Sequence, residues 1–98
     1  MKKYPTHPGI LIQDTINELG ITQLELTKHL NIPIQRLNGV IKGRRGITPD
    51  TALRLSKVFR TTPEFWLNLQ MTFDLWKAKK KSKLGKVKAI LWNRKINQ

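Results

Sequence analysis

The chain has 98 residues, no cysteine, and 19 Lys and Arg against six Asp and Glu, a net charge of +13. That length is one domain with a modest core. Without cysteine there is neither a disulfide framework nor a cysteine-ligated zinc site, and so basic a chain seeks a polyanion, nucleic acid before an anionic membrane.

The absence of cysteine fits a reducing cytoplasm. No apolar run is long enough to span a bilayer. The start, Met1-Lys2-Lys3-Tyr4-Pro5, is basic but leads into no apolar stretch, so no signal peptide is expected. The charge is unevenly spread. Residues 1–76 carry ten basic and six acidic side chains, a net of +4, whereas residues 77–98 carry nine basic and none acidic.

The punctuation is helical from the start. After His7-Pro8-Gly9, a periodic segment runs from Ile10 to Leu19, with Leu11, Thr15, Ile16 and Leu19 on one face. Gly20 stands where a helix closes in the left-handed conformation. Thr22-Gln23-Leu24-Glu25 reads as a capping box: the Thr22 hydroxyl takes the Glu25 N–H and the carboxylate reaches back. Leu24, Leu26 and Leu30 supply apolar contacts, and Asn31 stops this short helix. Ile32-Pro33 starts a third helix, since a proline lacking N–H fits only at or before the first turn. Its inward stripe is Leu37, Val40 and Ile41, and Gly43 ends it. Arg44-Arg45-Gly46 is a basic loop.

Thr48-Pro49-Asp50 opens a fourth helix with a cap, a proline and an acid at the positive helix end. Ala52, Leu53, Leu55, Val58 and Phe59 follow at helical spacing. Thr62-Pro63-Glu64 repeats the signal and launches Phe65, Trp66, Leu69, Phe73 and Trp76. Phe65 and Leu69 are assigned to the core, with Trp66, Phe73 and Trp76 open between core and an interface. Beyond residue 76 the lysines repel one another and Gly85 is a poor helix former, so residues 78–85 are expected to be loose. Leu84, Val87 and Leu91 then repeat at i, i+3 and i+7, while a strand from Val87 to Leu91 fits equally well. Trp92 is too isolated to read. The fold class is all-α: a five-helix DNA-binding domain over residues 1–76 and a basic extension over 77–98.

Two short helices joined by a tight turn, with a basic loop behind the second, form the architecture that reads a major groove. Gln23 stands at the N-terminus of the second helix, where its amide and the free backbone N–H groups grip a phosphate. Ile34, Gln35 and Asn38 occupy the outward face of the third. Gln and Asn bond adenine bidentately, and Ile34 meets a thymine methyl. Gly39 beside them leaves room for close approach. Arg36 is within reach of a base or a phosphate, and Lys42, Arg44 and Arg45 supply backbone contacts. The lysine run from Lys77 to Lys88 reads either as a solvated charge run or as a DNA-gripping arm. His7 and His29 show no ligand spacing, and no nucleophile–base pair or glycine-rich phosphate loop is visible. No metal, cofactor or enzymatic activity is expected.

Thr22-Gln23-x-Glu25-Leu26 through Gly43 resembles the helix-turn-helix of lambda-repressor-like (XRE) regulators. His7-Pro8-Gly9, Gly43-Arg44-Arg45-x-Ile47-Thr48, Thr51-Ala52-Leu53-Arg54-Leu55 and Pro63-Glu64-Phe65-Trp66-Leu67-Asn68-Leu69-Gln70 narrow the likeness to HigA-type antitoxins, also labelled virulence-associated protein I. The resemblance covers roughly residues 6–76. It implies a cytoplasmic homodimer that binds an operator palindrome, represses its own operon, and neutralises a RelE-like mRNA endonuclease toxin by contact. Three departures stand out. Thr27 sits where the motif usually has alanine, so its hydroxyl is expected to bond back along the helix. Pro33 replaces the usual Ser/Thr cap. The charge is +13, where antitoxins that wrap a basic toxin are often acidic. Two other readings remain: a regulator of the same fold with no toxin, and a nonspecific nucleic-acid binder driven by its tail.

Overall fold

The computed structural model describes residues 4–91. Among them, five helices follow in order: α1 Pro8–Leu19, α2 Gln23–Leu30, α3 Ile34–Ile41, α4 Pro49–Phe59 and α5 Pro63–Lys81. The all-α class holds.

α1 starts two residues before its apolar periodicity does. His7 is the cap: its Nδ1 accepts the Gly9 N–H at 2.9 Å, with Pro8 at the first helical position. The buried face is Pro8, Gly9, Ile12 and Ile16; of the expected stripe Leu11, Thr15, Ile16 and Leu19, Ile16 is buried, Leu11 and Thr15 are half-buried, and Leu19 is 59% exposed. Gly9 sets that rotation. A methyl built on it would lie 2.2 Å from the Val40 carbonyl oxygen and 2.7 Å from that of Ile41, so α1 rests directly on the backbone at the end of α3.

α2 carries the expected capping box: the Glu25 N–H donates to Thr22 Oγ1 at 3.1 Å, and the Thr22 N–H donates to Glu25 Oε1 at 3.0 Å. Leu26, Thr27 and Leu30 are buried, whereas Leu24 faces solvent. The Thr27 hydroxyl does bond back, donating to the Leu24 carbonyl at 2.5 Å. The turn passes through Asn31 at φ 56°, which asparagine tolerates. Pro33 precedes α3 in extended conformation, with no side-chain cap bond. Leu37 and Val40 are buried, and Ile41 is half-buried.

Thr48 and Thr62 cap α4 and α5 by accepting the Thr51 and Phe65 N–H groups. In α4 the buried residues are Thr51, Ala52 and Leu55, and Leu53 is exposed. In α5 the register differs from the expectation by one residue. Trp66 is buried and Phe65 is 41% exposed. The indole settles this, because its Nε1–H finds the Thr61 hydroxyl at 2.7 Å just outside the core. Ile12, Ile16, Leu26, Leu30, Leu37, Leu55 and Trp66 are at the heart of one core. α4 packs on α5 and α2, and α3 packs on α1 and α2.

Residues 78–81, expected to be loose, continue α5. Ala and Lys are good helix formers, and cations in the last turn complement the helix dipole. From Ser82 to Leu91 there is neither helix nor strand, only a turn closed by the Val87 N–H on the Leu84 carbonyl at 2.9 Å. Leu84, Val87 and Leu91 are all exposed. A strand needs a neighbour to take its backbone bonds, and the helices around it offer none. Trp92 lies outside the described residues.

Candidate nucleic-acid interface

α2, the Asn31–Pro33 turn and α3 place the outward residues beside the basic loop at 44–46. A chain of side-chain bonds joins them. Asn38 Nδ2 donates to Gln23 Oε1 at 3.3 Å, Gln23 Nε2 donates to Gln13 Oε1 at 3.4 Å, and Gln13 Nε2 donates to Asn17 Oδ1 at 2.9 Å. At the other end Arg44 Nη2 donates to Asn38 Oδ1 at 3.0 Å. This relay ties α1, α2, α3 and the loop into one polar surface. Both ends of the Asn38 amide are thereby engaged. Gln35 differs: it is exposed, and no hydrogen bond within the described residues holds its amide. Ile34 beside it is 38% exposed.

Arg36 departs from the expectation. Its Nη2 donates to Asp50 Oδ2 at 2.7 Å and to Thr51 Oγ1 at 2.6 Å, which turns the guanidinium onto α4 rather than toward a base or phosphate. Arg54 reaches the same carboxylate at 2.9 Å and also donates to the Leu30 and Asn31 carbonyls, closing the end of α2. Hydrogen bonds from Arg36, then Arg54, hold the Asp50 carboxyl below its usual range. The cluster locks α2, α3 and α4 together.

The basic loop is likewise built rather than loose. The Arg44 and Arg45 N–H groups both donate to the Gly39 carbonyl, at 2.8 and 3.1 Å, and Gly43 takes φ 78°. The space above Gly39 is not left open, as the sequence suggested. The Arg45 stem fills it, its Cγ and Cδ 3.0 Å from where a methyl would sit. Lys42, Arg44 and Arg45 are exposed. Behind the loop, Gln70 Oε1 accepts the buried Ile47 N–H at 2.8 Å, while Gln70 Nε2 donates to Asp74 at 2.9 Å. Gln70 is a buried amide with both ends satisfied, clipping the loop to α5.

Sequence reasoning missed Gln13, Asn17, His7, Gln70 and the Asp50–Arg54 pair. Gln13 and Asn17 had a visible signal, two amides one turn apart on a polar helix face. Gln70, one turn after Trp66 in an apolar block, was a polar residue at a core register and required a partner.

A family profile described as Helix-turn-helix matches residues 12–66. Virulence-associated protein A' of Dichelobacter nodosus is 45% identical over 74 residues, covering 74% of this chain; the chain spans 64% of that relative's length, less than two thirds. The solved addiction-module antidote protein of the HigA family from Coxiella burnetii superposes with a TM-score of 0.84 at 45% identity, covering 90% of this chain and 99% of its own. The chain belongs to the HigA-type antitoxins of the helix-turn-helix family. A further relative, the Pseudomonas aeruginosa antitoxin HigA, was solved with the higBA promoter. It is 34% identical, covers 78% of this chain and 84% of its own, and has a TM-score of 0.74.

Proposed function

We propose that the chain is a homodimeric repressor that binds an operator in its own promoter and serves as the antitoxin to a RelE-like mRNA endonuclease. The observation that carries the DNA reading is the free Gln35 amide in the first turn of α3, flanked by a relay that ends on Arg44. Gln35 and Ile34 read base edges. Gln23 and Asn38 hold the relay in register and meet the duplex from it. Lys42, Arg44 and Arg45 bind phosphates on either side. Arg36 acts from behind, fixing α3 against α4. The DNA-bound Pseudomonas relative supports this reading. In a twofold dimer the two α3 helices would enter successive major grooves about 34 Å apart.

Footprinting on DNA upstream of the gene tests the operator. The expected result is protection of a palindrome with half-sites about one helical turn apart. Protection without symmetry would remove the dimer, and no preference for that DNA would remove the repressor. Co-purification with the protein encoded next door tests the toxin. The charge favours a second reading, a regulator of this fold with no toxin, because a +13 chain repels a basic partner. A neighbouring gene product that fails to co-purify would establish it.

A further inference from the structure

The lysines after Phe73 have no use in the site described above. Lys77, Lys79, Lys80, Lys81, Lys83, Lys86 and Lys88 lie in a stretch without an acidic residue. Among the described residues, both ion pairs belong to Asp50, so none of these lysines is neutralised by one. The nearest acid on α5, Asp74, already accepts from Gln70.

Three observations separate this run from an ordinary solvated tail. Its first part is helical to Lys81, giving the charges a fixed spacing along a helix about 28 Å long at 1.5 Å per residue. Its root is anchored. Trp76 packs on Tyr4 with centroids 5.6 Å apart, Phe73 meets His7 edge-on at 4.9 Å, and Lys80 and Lys77 lie over Trp76 and Phe73 at 4.2 and 5.7 Å. A cation held over a ring keeps its charge available while its stem is ordered. Finally, α5 meets the end of the reading helix. Ile41, Lys42 and Gly43 share a cleft of about 250 Å³ with His7, Phe73 and Lys77. Lys42 and Lys77 therefore line one cleft, which places a cation from the end of the groove-facing helix and one from α5 on the same part of the surface.

We propose that the distal half of α5 and the segment behind it form a phosphate-gripping arm that carries the backbone track from Lys42 through Lys77 onto DNA flanking the operator. This rests on the reading that α3 enters the groove. Helix-spaced, unpaired ammonium groups fit a polyphosphate with regular spacing, and each contact releases condensed counterions. The arm adds affinity on every sequence and no base discrimination.

The test uses the full chain and the five-site variant K79Q/K81Q/K83Q/K86Q/K88Q, which spares the two ring-stacked lysines. Helical content and melting temperature confirm that the variant folds. Binding is measured on a duplex ending at the footprint edge of the operator core, on one with about ten added base pairs on each side, and on scrambled versions. The unmodified chain should bind the longer operator roughly tenfold more tightly than the shorter, and the variant should lose most of that gain, with a salt slope reduced by up to about 0.9 per lost contact. Hydroxyl-radical protection should reach into the flanks only with the unmodified chain. Equal affinity on both duplexes with an unchanged salt slope would overturn the arm while leaving the operator preference intact. If operator and scrambled DNA were bound alike but the slope still fell in the variant, the groove reading would fail and the arm would stand. Tighter binding to single-stranded RNA of equal length than to the long duplex would overturn the assignment to DNA.

Discussion

The two ends of this molecule handle polarity in opposite ways. From α1 to α4 two networks of paired polar side chains flank the free Gln35: Gln13, Gln23, Asn38 and Arg44 are linked in a relay, and Arg36, Asp50 and Arg54 close a second cluster. Among the described residues, the lysines from Lys77 to Lys88 are exposed and in no ion pair, and two of them stack on aromatic rings. Pairing gives geometry, and geometry is what base reading requires. Unpaired charge gives attraction without selectivity. On the proposed reading, specificity belongs to the mildly basic end and salt-sensitive affinity to the strongly basic one.

Trp66 joins the two ends, and its loss should have the largest effect. Trp66→Ala should cost about 3–5 kcal/mol, the range for emptying an aromatic site in a core. It should also release α5 from α4, seen as a lower melting temperature. Loss of stability without any change in the salt slope would show that the arm does not depend on this joint. Next comes Gly9→Ala, with a methyl against the backbone of α3. It should cost about 3 kcal/mol, the upper part of the overpacking range, since backbone cannot rotate away as a side chain can. A neutral melting temperature would mean that α1 does not rest on α3 as described.

Those two residues also show what the sequence made legible. Caps were readable because they are local: Thr22 with Glu25, Thr48 with Pro49, Thr62 with Pro63, Gly20 and Gly43. Together with Pro33 before α3, they delivered four of the five helix starts within a residue and the helix-turn-helix with them. Facing was less readable. Hydrophobic counting weighs large side chains, so it put Leu19 on the apolar face of α1 and Phe65 in the core, and it overlooked Gly9, whose value is its lack of a side chain. The outward amides were readable as residues, but their division into a free Gln35 and a bonded Asn38 depends on Gln23 of α2 and Arg44 of the loop, side chains 15 and six residues away whose reach no helical spacing reveals. Arg36 misled for the same reason, as its partner lies on α4.

Gln70→Leu tests the clip between loop and α5. It leaves the Ile47 N–H buried without an acceptor, which should cost about 1–3 kcal/mol. It should weaken operator and scrambled duplex equally, because the proposal gives the freed loop phosphate contacts rather than base contacts. A change in base preference would move the loop into the reading surface.

The smallest effect is a pH dependence at His7. Burial lowers its pKa from 6.5, with Lys77 acting in the same direction and Asp74 opposing. The unfolded chain takes up that proton more readily, so the contribution is complete above pH 6.5 and falls away as pH drops below it. Protonation also puts a hydrogen on the Nδ1 that accepts the Gly9 N–H. His7→Asn keeps a capping acceptor and should flatten this part of the stability–pH curve. An unaltered curve would place the titration elsewhere.

The most direct test of the division between reading and gripping is one ratio, operator affinity over scrambled-duplex affinity at fixed salt, measured for Gln35→Ala and for the five-lysine variant. Gln35→Ala should reduce the ratio by about 1–3 kcal/mol of lost discrimination. The lysine variant should bind both duplexes more weakly and leave the ratio unchanged. A ratio that collapses with the lysines and survives without Gln35 would contradict the account.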